Sequence, residues 1–252
     1  MHTGDSQTST LTEPISARAD IESVSRQSFF SKLQHLVLVT CVSFALPIVS
    51  SSYYLFGGTP LAVTSMRQSY RHLGSIVSEL VALMVLWYVM GRQGKTRAEI
   101  GWDFKILDIP KALGLLIIGL AVSYVALLPV QYVYRTYAGH FLAAKSLNSM
   151  LGFKISFLSI AFTCLNPFFE ELIVRAYTMS EVISLGGGRT LAVLVSVIIQ
   201  ISYHLYQGLV HVLALLVIFT IFSIYFARTK KIMPIILAHL CLDWIGLLSR
   251  AF

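Results

Sequence analysis

Seven apolar stretches, each close to the ~20 residues that a helix needs to cross a bilayer, constrain this chain more than any other feature in it. They run from about Leu36 to Phe56, Leu73 to Met90 and Ala112 to Tyr134. A fourth starts near Phe153, and the last three cover about Leu191 to Tyr206, Leu209 to Ala227 and Ile232 to Leu248. Gly57-Gly58-Thr-Pro60 and Gly186-Gly-Gly188-Arg189 separate some of them, and Pro129 is positioned to kink the third. Only 12% of the 252 residues are charged, about half the ~25% of a soluble domain. The expected fold class is therefore all-α, a polytopic membrane protein of about seven transmembrane helices.

The net charge of +7 does not point to nucleic acid, because Lys and Arg lie singly or in small groups between apolar runs. No basic stripe with interleaved aromatics occurs, so nucleic acid is excluded as a partner and the bilayer is the expected one. Twelve basic residues fall on one side of the spans: Arg18, Arg26, Lys32, Arg92, Lys95, Arg97, Lys105, Lys111, Arg189, Arg228, Lys230 and Lys231. Arg67, Arg71, Arg135, Lys145, Lys154 and Arg250, six in all, fall on the other. The positive-inside rule then sets the N-terminus in the cytoplasm. Ile100-Gly-Trp-Asp-Phe reads as an interfacial turn with a Trp anchor.

Residues 1–28 are rich in Ser, Thr, Asp and Glu and are expected to be a disordered tail. They carry no apolar run of the kind a secretory signal needs. Residues 29–150 hold the first three spans, and 151–252 hold the last four. Cys41, Cys164 and Cys241 sit in apolar stretches without CxxC spacing and read as small buried hydrophobes. No internal repeat is visible.

The chemistry concentrates in Asn166-Pro-Phe-Phe-Glu-Glu-Leu-Ile-Val-Arg175. An ionised side chain at a helix centre in a membrane costs about 2.5 kcal/mol or more, so such residues are functional by default. Outside loops and tail the titratable set is Glu79, Glu170, Glu171, Arg175, His204, His211, His239 and Asp243, and all but Glu79 fall in the last four spans. Glu171 and Arg175, four apart, can pair on one helix face. Glu170 is rotated about 100° from Glu171 on an α-helix, which leaves it free to serve as a general base. Pro167 weakens the helix just upstream and offers a way in for water. His239 and Asp243 repeat the four-residue spacing: Asp243 holds the imidazole in one tautomer, or both groups face a common reacting oxygen. His204 lies before a turn that Gly208 permits. Glu79, His35 and His211 read as packing residues.

At these positions the chain resembles the CAAX protease and bacteriocin-processing (Abi) family of intramembrane endopeptidases. Glu170-Glu171-Leu-Ile-Val-Arg175 fits its Glu-Glu-x-x-x-Arg motif. His204 fits Phe-x-x-x-His, with Gln200 where Phe is usual, and His239 with Asp243 fits His-x-x-x-Asn or Asp. The resemblance covers about Phe153 to Leu248 and implies a peptide hydrolase whose site lies in the bilayer among the last four helices. It implies that Glu170 and His204 activate the attacking water, that His239 and Asp243 stabilise the oxyanion, and that Glu171 and Arg175 support them. Asp243 and Leu205-Tyr-Gln-Gly208 are common in bacterial members, which implies a bacterial cytoplasmic membrane and a peptide or membrane-protein substrate. No cofactor is favoured, although zinc held by His204, His239 and a carboxylate is a possible alternative. No His-Glu-x-x-His occurs. Two other functions fit the same residues: a proton-coupled transporter using them as a relay, and a non-catalytic immunity or scaffold protein on the same fold.

Overall fold

A computed structural model describes residues 15–56, 65–143 and 155–249, with the side chains of 15–27, Ser65 and Arg67 left aside. The described residues are helical and contain no strand. The elements are α1 (Ile15–Leu55), α2 (Ser65–Arg92), a 3₁₀ turn (Ala98–Ile100), α3 (Asp108–Ala138) and α4 (Phe157–Glu170). A π-helix (Glu171–Met179) continues α4 directly into α5 (Ser180–Ser184). They are followed by α6 (Arg189–Ser202), a 3₁₀ turn (Leu205–Gln207), α7 (Leu209–Thr229) and α8 (Met233–Leu248).

The spans expected from the sequence are found as helices. Among the described residues five are long and apolar enough to cross a membrane: Ser28–Leu55, Gln68–Arg92, Asp108–Ala138, Phe157–Ser184 and Leu209–Thr229. Arg189–Ser202 and Met233–Leu248 are apolar but shorter. At 14 and 16 residues they rise only about 21–24 Å, less than the ~30 Å hydrocarbon core. These two lead to or carry the histidines.

Helix α1 begins at Ile15, within the stretch read from the sequence as a polar tail to residue 28; residues 1–14 lie outside the described ones. In the turn read as interfacial, the Trp102 ring packs 6.1 Å from both Trp87 and Phe168. The Gly57–Pro60 break, the start of the fourth span at Phe153, Lys145, Lys154 and Arg250 also lie outside the described residues. Helix α3 runs through Pro129 without interruption.

Burial is sorted as a membrane protein requires. Glu79, Glu170, Glu171, Arg175, Glu181, Gln200 and His239 are buried, whereas Leu46, Ile117, Tyr124 and Ile198 are exposed. Lipid is as apolar as leucine, so nothing drives those side chains inward, and the polar ones cohere by hydrogen bonds instead. Ser196 and Ser223, both buried, pair at 3.1 Å where α6 packs on α7. Helix α3 packs on α7 and α8, α2 on α4, and α4 on α8.

Contacts at each end fix the bundle. At one end Lys95 pairs with buried Glu181, which also accepts from Gln93 at 3.4 Å. Gly101, at φ 73°, brings its backbone against the α7–α8 turn, where its carbonyl accepts from the Ile232 amide at 3.4 Å. At the other end the Tyr206 amide donates to Ser51 Oγ at 2.9 Å, tying the turn after α6 to the end of α1. A capping box starts α4: Ser156 Oγ accepts from the Ser159 amide at 3.2 Å, and Ser159 Oγ accepts from the Ser156 amide at 2.6 Å. That cap sets the register of the segment that carries the acidic pair.

Candidate active site

Four elements bring the motif residues together. Glu170 ends α4, Glu171 and Arg175 lie on the π-helix, His204 sits in the turn after α6, and His239 and Asp243 lie on α8. Glu171 and Arg175 pair at 3.3 Å with both side chains at 0% exposure, as the four-residue spacing suggested. Asp243 is the open member, its side chain 27% exposed, and it marks the direction from which the site can be reached.

The π-helix alters the geometry drawn from the sequence. Its i to i+5 bonding makes a wider turn than an α-helix, and such turns favour functional sites. Glu170 and Glu171 take different partners, Gln200 for the first and Arg175 for the second. Both carboxylates address one imidazole: Glu171 Oε1 lies 2.7 Å from His239 Nδ1, and Glu170 Oε2 lies 3.9 Å from His239 Nε2. Asp243 Oδ1 stands 3.5 Å from the same Nε2. A carboxylate only accepts, so His239 Nδ1 is the donor to Glu171. The tautomer is thus held by Glu171, not by Asp243 as the sequence spacing allowed.

His204 is fixed in the same manner by backbone. Its Nδ1 lies 2.7 Å from the Gln200 carbonyl, which can only accept, so Nδ1 carries the proton and Nε2 is left as an acceptor. Both site histidines therefore have Nδ1 engaged from behind and Nε2 turned toward the chemistry. Phe219 of α7 is the apolar floor they share, 5.1 Å from the His239 ring, 5.6 Å from the His204 ring and 4.7 Å from the Arg175 guanidinium carbon.

The sequence missed three residues of this centre. Gln200 is buried and bridges it: Arg175 Nη1 donates to Gln200 Oε1, and Gln200 Nε2 donates to Glu170 Oε2. Asn166 Nδ2 donates to Asp243 Oδ2 at 3.3 Å. Glu79, read as packing, is buried on α2, its Oε2 has no hydrogen-bond partner among the described residues, and it lies within electrostatic reach of Glu170 and Asp243. His72, seven residues earlier on α2, stacks on Phe162 of α4 at 5.5 Å, so Glu79 falls at the level of Phe169 and Glu170. A signal for Gln200 and Asn166 was present, since uncharged amides inside apolar spans also need partners. His211, by contrast, stays outside the centre, its Nδ1 3.3 Å from the Gln207 carbonyl.

Among the described residues no three His, Cys, Asp or Glu side chains are grouped so as to hold a metal ion. Each imidazole has its Nδ1 engaged, by the Gln200 carbonyl for His204 and by Glu171 for His239.

Residues 152–245 match the family model described as type II CAAX prenyl endopeptidase Rce1-like. The match begins just before α4, ends within α8, and is consistent with the CAAX protease and bacteriocin-processing resemblance carried by the three motifs. At family level it supports a CAAX-protease-like membrane endopeptidase. No curated protein matches the chain, and no solved structure does.

Proposed function

We propose that the chain hydrolyses peptide bonds within the membrane, using a water molecule activated by Glu170 and His204. The observation that carries this reading is the paired setting of His204 and His239. Each has Nδ1 held by an acceptor at 2.7 Å, and both rings rest on Phe219 beside Glu170. Glu170 and His204 Nε2 are the acceptors for the proton of the attacking water. The water oxygen bonds to the carbonyl carbon, and the carbonyl oxygen takes the negative charge. His239, with Glu171 behind it, faces that oxygen as an imidazolium donor, the kind of preorganised stabilisation that often dominates catalysis. The C–N bond then breaks, and the proton taken from water passes to the leaving amine.

Asp243 serves by orienting His239, since an ionised carboxylate cannot donate to an oxyanion. Glu171 and Arg175 form the support behind it. The substrate is a peptide or membrane-protein segment lying in the bilayer, and the chain's location is a bacterial cytoplasmic membrane with the N-terminus inside. The charge bias of the loops supports that orientation.

The test is cleavage of a library of short membrane-associated peptides by detergent-purified protein, with and without a strong chelator, beside Glu170→Ala. Cleavage that survives the chelator and is lost in Glu170→Ala is the expected result. Loss to the chelator with recovery on adding zinc would overturn the water-activation scheme. Full activity in Glu170→Ala would remove Glu170 from the chemistry, and folded protein that cleaves nothing would favour the relay or scaffold reading.

A further inference from the structure

Five side chains, His239 among them, form a ring of contacts in the centre. Glu170 accepts from Gln200, Gln200 accepts from Arg175, Arg175 pairs with Glu171 at 3.3 Å, Glu171 accepts from His239 at 2.7 Å, and His239 returns to Glu170 at 3.9 Å. Four of these residues belong to the motifs. Gln200 does not: it occupies the position where the resembled family usually has Phe, a side chain that could neither accept from Arg175 nor donate to Glu170.

We propose that Gln200 is a positioning residue for Glu170, linking the water-activating side of the site to the Arg175–Glu171–His239 side; this inference rests on the hydrolytic reading above. The amide's orientation follows from chemistry. Arg175 has only donors, so the oxygen of Gln200 faces it, and the nitrogen faces the carboxylate of Glu170. The guanidinium charge polarises the amide, and the amide presents its N–H to Glu170 Oε2 in a site from which water is largely excluded. The same residue acts twice, because its backbone carbonyl fixes His204 Nδ1. One buried residue on the last turn of α6 thereby sets the orientation of both water-activating groups.

Two consequences separate positioning from packing. Gln200→Met keeps length and volume but removes both side-chain hydrogen bonds, while leaving the backbone carbonyl to His204. Glu170 then loses its fixed orientation without any loss of substrate contact. Gln200→Glu keeps the acceptor for Arg175 but sets a carboxylate against Glu170.

The experiment compares wild type, Gln200→Met and Gln200→Glu on a quenched-fluorescence membrane peptide, and by labelling with dicyclohexylcarbodiimide read by mass spectrometry. The carbodiimide is apolar and attacks carboxyl groups inside membranes. In Gln200→Met, kcat is expected to fall about tenfold to a hundredfold, the range commanded by hydrogen-bonding partners behind metal ligands, with KM held. Labelling of Glu170 should rise severalfold while labelling of Glu79 stays constant. Gln200→Glu should fall further in kcat. Wild-type kcat in Gln200→Met, or unchanged Glu170 labelling, would overturn the proposal. A rise in labelling at Glu79 as well as Glu170 would also overturn it, because it would mean general loosening. Wild-type protein that cleaves no peptide counts against the hydrolytic reading alone, and the labelling then decides the role of Gln200.

Discussion

Replacing Arg175 by Ala should destabilise the protein far more than replacing Glu170 by Ala, although the two lie on adjacent turns. Arg175 and Glu171 have 0% exposed side chains and pair at 3.3 Å. Removing one partner of a buried pair costs about 3–5 kcal/mol, because the other charge stays behind uncompensated. At about 2–4 °C per kcal/mol for a chain of this size, the midpoint should fall by about 6–20 °C. Arg175→Ala also strips the guanidinium from the Phe219 ring, 4.7 Å away. Glu170→Ala leaves the Gln200 amide without its acceptor, about 1–3 kcal/mol. That cost is partly offset by removing one of three carboxylates around His239.

The assay is gel filtration of fluorescent fusions in detergent after heating. The decisive comparison adds the double variant Glu171→Leu with Arg175→Met. Replacing a whole buried pair by apolar residues is often neutral or stabilising, so the double should melt above either single variant while lacking activity. If the losses simply add, the cost is packing and the charge argument fails. Midpoints for Arg175→Ala, Glu171→Ala and Glu170→Ala that coincide would remove the division between a structural pair and a working carboxylate.

Two further outcomes follow from single contacts. Gly101→Ala should lower thermal stability by more than the ~1–2 kcal/mol of a left-handed non-glycine residue, because its Cβ would lie 2.0 Å from the Lys230 carbonyl oxygen at φ 73°; an unchanged melting curve would refute that close approach. Asn166→Ala should reduce kcat about tenfold or more, with little change in melting temperature, because its amide holds Asp243 at 3.3 Å from a half-buried position. Asn166→Asp should be worse, since it sets a second carboxylate against Asp243, and full activity in both variants would leave Asp243 positioned by His239 alone.

The apolar runs announced the fold, because a span of about 20 hydrophobic residues has few alternatives. The pairing of Glu171 with Arg175 was legible for the same kind of reason: four residues of separation fixes a shared helix face. Glu79 was not legible. It is the lone carboxylate on α2, and only the register of α2 on α4, set by His72 against Phe162, brings it level with Glu170. Gln200 and Asn166 escaped for another reason. Amides carry no charge to attract notice, and their importance depends on partners 30 and 77 residues away.

The relation of Glu170 to Glu171 shows where local reasoning stops. On an α-helix two adjacent residues diverge by about 100°, and a site using both acids on one imidazole would be awkward to build. The chain departs from the α-helix at Glu171, four residues after Pro167, whose missing N–H already interrupts the α-helical ladder. The π-helix brings the two carboxylates round to opposite nitrogens of His239, at 2.7 and 3.9 Å. Arg175 stays within reach of Glu171 and also meets Gln200. A wider turn thus gives adjacent acids different duties on a shared partner: one holds Nδ1, and the other faces the reacting side. No periodicity read from the sequence reports it, because the nine residues Glu171–Met179 satisfy an α-helical pattern equally well. The π form is recognised only by where its side chains meet Gln200 of α6 and His239 of α8.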